Sequence, residues 1–209
     1  FLKRGVHVLV EKPIAVDLVQ AKRLVEYSKR HNLVLQVGHL ERFNPAVMKL
    51  REIMGQPIMM ECSRRSCPTN RNLDVGVVWD LMIHDLDILI HLVNSPVQDI
   101  SANGVSVYSD YEDIAQVQLR FQNGVMASLV ASRNSGNRVR SLQVTEKTGR
   151  TLSLDFIDQT LAILRPGLDG RPIPPENVHV EKEELLRLEL NHFAGFEEDD
   201  PDRTSLDIN

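Results

Sequence analysis

The first forty residues carry a strand, a helix and a second strand, in that order. Residues 6–10 and 33–37 are short apolar runs, as in strands that are buried on both faces of a parallel sheet. Asp17 can cap an intervening helix, whose apolar positions follow helical spacing: Leu18, Ala21, Leu24, Val25 and Tyr27. A crossover helix joins parallel strands, so the pattern predicts the end portion of a doubly wound α/β sheet, where ligands lie beyond the carboxyl ends of the strands.

We expect the first residues of the chain to be the end of a helix. Residues 1–4 are typical of the last turn of a helix, and Gly5 is typical of its C-terminal cap. We therefore expect residues 1–40 to be the C-terminal part of a doubly wound domain whose first half is missing. The acidic residues 197–202 are followed by too few residues for another element, so we allow for a truncation at that end too.

From about residue 112 the pattern changes to alternation. Apolar side chains at 115, 117, 119 and 121 alternate with polar ones, as in a strand with one buried face, and Asn123-Gly124 supplies a hairpin turn. Further predicted elements are strands at 125–131, 138–145, 150–155 and 159–164, a loop at 165–175 and a closing helix at 183–196. Residues 41–209 are thus expected to form an α+β domain with a large, open, mainly antiparallel sheet.

Composition narrows the class of ligand. The formal charge is -5 and the basic residues are scattered, which disfavours nucleic acid or an anionic membrane as a partner and favours a small molecule. Two cysteines make no disulfide framework, and neither a membrane-length apolar run nor a secretory leader is evident. We therefore expect a cytoplasmic protein.

Residues 78–93 read as a largely buried helix that carries titratable groups. Asp80, His84, Asp87 and His91 are spaced four, three and four residues apart, which places them on one face. Buried titratable groups need partners, so this face must meet a cleft, a metal ion or its own members. One open interpretation is a satisfied ion pair between Asp80 and His84 in the core; the other is a reactive site.

A second candidate lies just past the first parallel strand. There Lys12 stands between Glu11 and Pro13, at the edge where a doubly wound sheet presents residues to ligands. Glu-Lys-Pro alone is a weak motif that also occurs in solvated turns. Combined with Asp80-x-x-x-His84 about seventy residues later, it becomes much more specific.

These residues resemble the Gfo/Idh/MocA oxidoreductases, the glucose-fructose and inositol dehydrogenase-like family, on residues 8–13 (VLVEKP) and 79–87 (WDLMIHDLD). The resemblance covers nearly the whole chain. It implies a Rossmann domain that binds NAD or NADP, followed by a substrate and oligomerisation domain. It also implies that Lys12, Asp80 and His84 are catalytic and contact the substrate, and that Glu11, Lys12 and Pro13 lie beside the nicotinamide ribose.

Residues 37–46 resemble the subgroup of this family that acts on UDP-N-acetylglucosamine or related nucleotide sugars. Because this segment follows the last parallel strand, we expect His39 and Arg42 to contact the cofactor, and Phe43 and Asn44 to contact the sugar. The alternative is an ordinary helix start, with Asn44 as the cap before Pro45. Downstream, a predicted polar loop holds basic residues that either contact a diphosphate or are simply solvated: Arg64, Arg65 and Arg71.

A mechanism follows as a hypothesis. His84 would take the proton of a secondary alcohol, and Asp80 would orient the imidazole ring of His84. Lys12 would hold the hydroxyl oxygen while hydride goes to the nicotinamide. The sequence contains no G-x-G-x-x-G turn, so cofactor binding by this chain alone and the choice of NAD or NADP stay open.

Two rival functions remain. A metal-dependent sugar hydrolase or isomerase could use the acidic and histidine residues of the 78–93 helix, although one straight helix cannot surround a cation. A non-catalytic protein could bind a sugar, or could associate with itself through the predicted sheet. We expect a homo-oligomer in either case, because a broad sheet with helices on one face has a second face to cover.

Overall fold

The computed structural model describes residues 1–68, 73–167 and 173–195. Its helices are α1 (Leu18–Arg30), α2 (Pro45–Ile53), α3 (Ile83–Val93) and α4 (Leu185–Ala194). Its strands are β1 (Val8–Glu11), β2 (Leu35–Gly38), β3 (Pro57–Arg65), β4 (Val97–Val105), β5 (Ile114–Phe121), β6 (Met126–Ser132), β7 (Val139–Glu146), β8 (Thr151–Asp155), β9 (Thr160–Leu164) and β10 (Glu176–Val178).

The chain divides into two compact units. The first comprises residues 1–43 and the segment that begins at Glu184, and the second comprises residues 44–183. The helix α4 therefore belongs with the N-terminal residues. The domain boundary expected after residue 40 stays a prediction.

In the first unit, β1 and β2 pair in parallel across the crossover helix α1. The Asp17 side chain caps α1 by accepting the backbone N–H of Gln20 at 2.8 Å, and Gly5 ends the opening 3₁₀ turn with φ of 73°. The predicted strand, helix and strand are confirmed. Glu11 and Gly38 stand side by side at the carboxyl ends of the two strands.

The second unit is built on an eight-stranded sheet in the order β10-β9-β8-β7-β3-β6-β5-β4. Among the described strands of this sheet, only the β3–β6 pair is parallel. This confirms a large, mainly antiparallel sheet. The alternation predicted for β5 is confirmed too, because every second residue is apolar and buried from Ala115 to Phe121, and the polar residues between them are exposed.

The core lies on one face of this sheet, which we call the inner face. Its buried side chains include Leu129, Leu142 and Leu152, and they form one apolar cluster with the helices α2 and α3 through residues such as Leu50 and Ile88. The opposite, outer face carries mainly polar side chains. Apolar burial therefore fixes which face of the sheet the two helices cover.

Three of the described strands were not anticipated from the sequence: β3, β4 and the short β10. Residues 57–65, expected in part to be a polar loop, form the central strand β3, so a loop position for Arg64 and Arg65 is wrong. The edge strand β4 is exposed along nearly its whole length and contains Asn103-Gly104, a turn-like pair. Arg71 lies outside the described residues.

The predicted helix at 78–93 is two segments. A π-helical turn at Val78–Met82 leads into α3, which ends at Asn94 in the left-handed conformation with φ of 46°. The expected closing helix is α4. Within the described residues, no helix combines the length and the apolar character that crossing a membrane would require.

Candidate functional site

The α3 segment presents two different sides. Asp80, His84, Asp87 and His91 are all half-buried, whereas the side that packs on the sheet is fully buried and includes Met82, Asp85, Ile88 and Leu89. The structure thus keeps Asp80 and His84 together, one turn apart and partly accessible. Asp80 lies in the π-helical turn, a feature that often marks functional sites.

The start of this helix is held by Glu112, just ahead of β5. The backbone carbonyl of Glu112 accepts the N–H of Val77 at 2.9 Å, and its carboxylate accepts the N–H of Val78 at 3.1 Å. A Cβ on Gly76 would lie 1.9 Å from that carboxylate, so only glycine leaves room for it. These contacts satisfy N–H groups that a helix start otherwise leaves open, and they position Asp80.

Asp113 and Arg133 support the same segment. Burial acts to raise the pKa of Asp113, but hydrogen bonds from the backbone N–H groups of Tyr108, Val107 and Ser109 and from the Ser109 hydroxyl outweigh it and hold the pKa well below its usual range. The carboxylate therefore stays charged. It lies 3.7 Å from Nε of Arg133, and Nη2 of the same guanidinium donates to the Val75 carbonyl oxygen at 2.6 Å.

A buried ion pair involves Asp85, the residue that follows His84 in the chain. Arg64 of β3 donates to Asp85 Oδ1 from Nε at 2.9 Å and from Nη2 at 2.8 Å. Both residues are only 1% exposed, so neither the diphosphate contact nor the solvated position considered for Arg64 applies. Sequence reasoning missed Asp85, although its place next to His84 on an apolar helix was a usable signal.

In the first unit, several predicted cofactor residues share one edge. The register that pairs Glu11 with Gly38 brings Lys12 and Pro13 to the same end of the sheet as His39. A Cβ on Gly38 would lie 3.2 Å from Glu11 Oε2, so the Glu11 carboxylate lies against this glycine. The geometry thus places an ammonium-bearing and a carboxylate-bearing residue where parallel strands end.

The segment after β2 turns into a short 3₁₀ helix, Leu40–Phe43. The N–H of Arg42 donates to the His39 carbonyl oxygen at 3.0 Å, which closes the turn. The ring of Phe43 lies 5.3 Å from the ring of His192 on α4. Contacts of Arg42 with a cofactor and of Phe43 with a sugar stay predictions.

Asn44 begins the second unit as the cap of α2. Its side-chain oxygen accepts the N–H of Ala46 at 3.1 Å, and its Nδ2 donates to the Phe156 carbonyl oxygen at 3.0 Å. The helix-start interpretation of Asn44-Pro45 is confirmed. Both ends of the buried amide are engaged with protein, so the predicted contact between Asn44 and a sugar stays a prediction.

Glu189 on α4 is a buried carboxyl group that the sequence did not single out. It is 2% exposed, and its Oε1 has no hydrogen-bond partner among the residues that the structure describes. Burial raises its pKa, the nearby Glu11 carboxylate raises it further, and the nearby Gln36 side chain opposes both. Glu189 therefore keeps its proton to higher pH than a solvated glutamate, at the edge that holds Glu11.

We expect the Glu189 carboxyl group to make the folded state less stable as pH rises. Its folded pKa lies above the ordinary value of 4.5, so the unfolded chain loses the proton first and the free energy of unfolding falls as pH rises from 4.5 through the folded pKa. Glu189→Gln should remove this fall. Urea unfolding at several pH values checks it, with the exposed Glu184→Gln as control. Parallel stability curves for wild type and Glu189→Gln would refute the prediction.

Metal ligation was also considered from the sequence. Across the part of the chain that the structure describes, no cluster of three or more histidine, cysteine or acidic residues could hold a metal ion. Cys62 is buried and Cys67 is exposed.

Comparison with known proteins identifies relatives for most of the chain. Two family models match: "GFO/IDH/MocA C-terminal domain" over residues 51–151, and "Oxidoreductase family, NAD-binding Rossmann fold" over residues 1–39. UDP-N-acetylglucosamine 3-dehydrogenase of Acidithiobacillus ferrooxidans is 34% identical over 201 residues, which are 93% of this chain and 63% of that protein. Myo-inositol 2-dehydrogenase of Thermotoga maritima is 30% identical over 146 residues, 62% of this chain and 43% of that protein.

Solved structures agree with this result. A structure of the Acidithiobacillus ferrooxidans enzyme superposes with a TM-score of 0.86 over 93% of this chain and 63% of that one. Levoglucosan dehydrogenase in complex with NADH and L-sorbose, 19% identical, superposes with a TM-score of 0.74 over 85% of this chain and 55% of that one, which supports the fold alone. The present chain thus spans just under two thirds of the length of its 34%-identical relative.

Proposed function

Because the chain belongs to the Gfo/Idh/MocA family of oxidoreductases, we propose that it carries the reactive residues of an NAD(P)-dependent sugar dehydrogenase. The observation that carries the proposal is the half-buried pair of Asp80 and His84, which lies at the start of one helix in the second unit. The reaction proposed is hydride transfer between a secondary alcohol of a sugar or nucleotide sugar and NAD or NADP.

The carboxyl edge of β1 and β2 fits the nicotinamide end of such a cofactor. Glu11 offers a carboxylate that can accept hydrogen bonds from ribose hydroxyls, and Lys12 and His39 follow the two strand ends. When bound, the nicotinamide supplies the hydride acceptor. The residues of this chain then have to bind the sugar and move one proton.

We assign the proton to His84. An imidazole titrates near neutral pH and can accept the hydroxyl proton at a ring nitrogen as the C–H bond breaks. Asp80, one turn earlier, favours the charged imidazolium that results. The Lys12 ammonium stabilises negative charge on the substrate oxygen. That Lys12 and His84 act on the same hydroxyl is part of this proposal.

For the substrate we propose a UDP-sugar oxidised at C3, by analogy with the 34%-identical relative. Arg42, which is expected to contact the cofactor, suits the anionic diphosphate of NAD or NADP because guanidinium groups bind phosphate oxygens in a bidentate manner. Phe43 offers an aromatic face to a sugar ring.

The direct test is an assay of the natural full-length protein with UDP-N-acetylglucosamine and NAD or NADP. Reduction of the cofactor, followed by identification of the ketone carbon, would support the proposal. Tight sugar binding without turnover would favour the non-catalytic alternative, and activity that a chelator abolishes would favour the metal-dependent one.

We further propose a cytoplasmic homo-oligomer that associates through the outer face of the sheet. This face carries the exposed Met126 and a shallow cavity of ≈ 420 Å³ that Met59, Gln118 and Ser128 help to line. Exposed apolar side chains that cluster on an open sheet face mark surfaces where proteins associate.

Val130→Arg should therefore disrupt the assembly. Val130 lies in the middle of β6, paired with Ser63 and Gln116 on the outer face, and a buried unpaired charge there would be costly. Light scattering after gel filtration measures the mass. Gln20→Arg on the exposed side of α1 is the control. A wild-type mass for Val130→Arg would contradict this interface.

A further inference from the structure

We propose that the buried ion pair of Arg64 and Asp85 is a positioning device for His84. In this view it sets the register of α3 on the sheet and so sets the direction of the neighbouring imidazole. The inference rests on the proposed function, since it concerns the residue that is assigned the proton.

The pair is enclosed and directional. Two N–H groups of one guanidinium converge on a single oxygen, Asp85 Oδ1, at 2.9 and 2.8 Å. The guanidinium carbon also lies 5.2 Å from the centre of the Phe156 ring, within the range of a cation–π contact. The Phe156 carbonyl oxygen in turn accepts a hydrogen bond from Asn44 at the start of α2. Arg64 therefore links α3 with the loop that holds α2.

The surroundings of the pair are apolar. On α3 the sheet-facing residues include Ile88, Leu89 and Leu92, all buried. An apolar helix on an apolar sheet packs with similar energy in several registers, because apolar contacts have no direction. A fork of two N–H groups on one oxygen is satisfied in one register only. Stability alone does not explain the pair, because burying two charges costs about as much as their attraction returns.

A buried thiol, Cys62, interacts electrostatically with the pair. Cys62 is two residues before Arg64 on the inner face of β3. Burial raises the pKa of the Cys62 thiol, the Asp85 carboxylate raises it further, and Arg64 opposes this. The thiol thus stays protonated and acts as a small apolar neighbour of the pair.

The link to His84 is short. Asp85 follows it directly, so a rotation or slide of α3 moves both together, and each residue step in a helix is about 100° and 1.5 Å. Loss of the register would therefore swing the imidazole away from the hydroxyl. A displacement of about 1 Å at a reacting group is enough to cost on the order of 100-fold in rate.

The test replaces both charges at once, by Arg64→Met with Asp85→Leu, in the natural full-length protein. This double variant leaves no buried unpaired charge, so we expect it to fold with a Tm equal to or above that of the wild type. We expect kcat to fall about 10- to 100-fold while KM changes little. A folded double variant with wild-type kcat would overturn the proposal.

A second variant tests whether the planar guanidinium is required, and a matched control tests whether the effect is specific to this ion pair. Arg64→Lys keeps the charge but lacks the planar fork, so a smaller loss of kcat is expected, and an unchanged kcat would count against the proposal.

The control is Glu146→Leu with Arg150→Met. That pair is also bidentate, with Glu146 buried and the Arg150 side chain 26% exposed, but it joins the β7–β8 hairpin to the Ile53 carbonyl. Its replacement should leave kcat unchanged, and an equal loss there would overturn the specific role of Arg64 and Asp85.

Failure of the proposed function can be told apart from failure of this inference. A wild-type protein without turnover on any nucleotide sugar would contradict the proposed function but would not test the role of the ion pair. The inference is then read from NMR of ¹⁵N-labelled histidine, with the His84 signals assigned from His84→Ala. The ring signals of His84 should shift or broaden in the Arg64 and Asp85 double variant and not in the control; unchanged signals would overturn the inference.

Discussion

Replacing His84 by Ala in the natural full-length protein should lower kcat by about 10²- to 10⁴-fold, the range in which a positioned general base contributes. The variant retains the half-buried helix and loses only the group that accepts the hydroxyl proton. The loss should shrink at high pH, where solvent hydroxide takes over part of that task. Initial rates of NAD(P) reduction across a pH series measure both effects.

The same helix offers a matched control. His91 is also half-buried and lies on the same face as His84, two turns further along α3, or about 10.5 Å along the axis. His91→Ala should therefore retain nearly all of the activity. Equal losses in the two variants would mean that helix integrity, and not the imidazole of His84, is what the assay reports. Unchanged kcat in His84→Ala would remove His84 from the mechanism.

Replacing Lys12 by Ala should lower kcat by about 10²- to 10³-fold, as expected for a donor that stabilises charge developing on oxygen. The effect should fall on kcat more than on KM, because the interaction strengthens as the hydroxyl loses its proton. Lys12→Arg should recover only part of the rate, since a planar guanidinium does not replace a compact ammonium. Steady-state kinetics of both variants provide the measurement.

The control for this change is Lys22→Ala on the exposed side of α1, which should behave as wild type. If Lys12→Ala raised KM and spared kcat, Lys12 would bind substrate without taking part in the reaction. The double variant of Lys12 and His84 adds a further test. Two residues that act on one hydroxyl should show strongly non-additive losses, whereas independent residues would show additive ones.

Local patterns in the sequence were sufficient for much of the fold. The strand, helix and strand at the beginning and the alternation in β5 depend on neighbours in the chain, so their periodicity is visible in the sequence. The central strand β3 was not visible, because Arg64 occupies an inner-face position where an apolar residue would complete the pattern. Its partner Asp85 lies 21 residues away, and only the folded chain joins them.

The edge strand β4 shows a second limit of prediction from sequence. Asn103-Gly104 is typical of a turn, yet both residues pair with β5. A Cβ on Gly104 would lie 3.0 Å from Glu112 Cβ, so this glycine serves close packing. A propensity describes what a dipeptide prefers alone, and here a tertiary contact overrides it.

By itself, the sequence determined the kinds of secondary structure, the family resemblance and the residues proposed to react, because periodicity and short motifs are local properties of the chain. Only the tertiary structure decided which carboxylate of the helix faces the sheet, that Glu112 and Gly76 hold the start of that helix, and that Arg64 is a buried partner and not a surface cation. Those outcomes depend on burial and on hydrogen bonds between residues far apart in the chain, and the free energy of such contacts is set only when the elements pack.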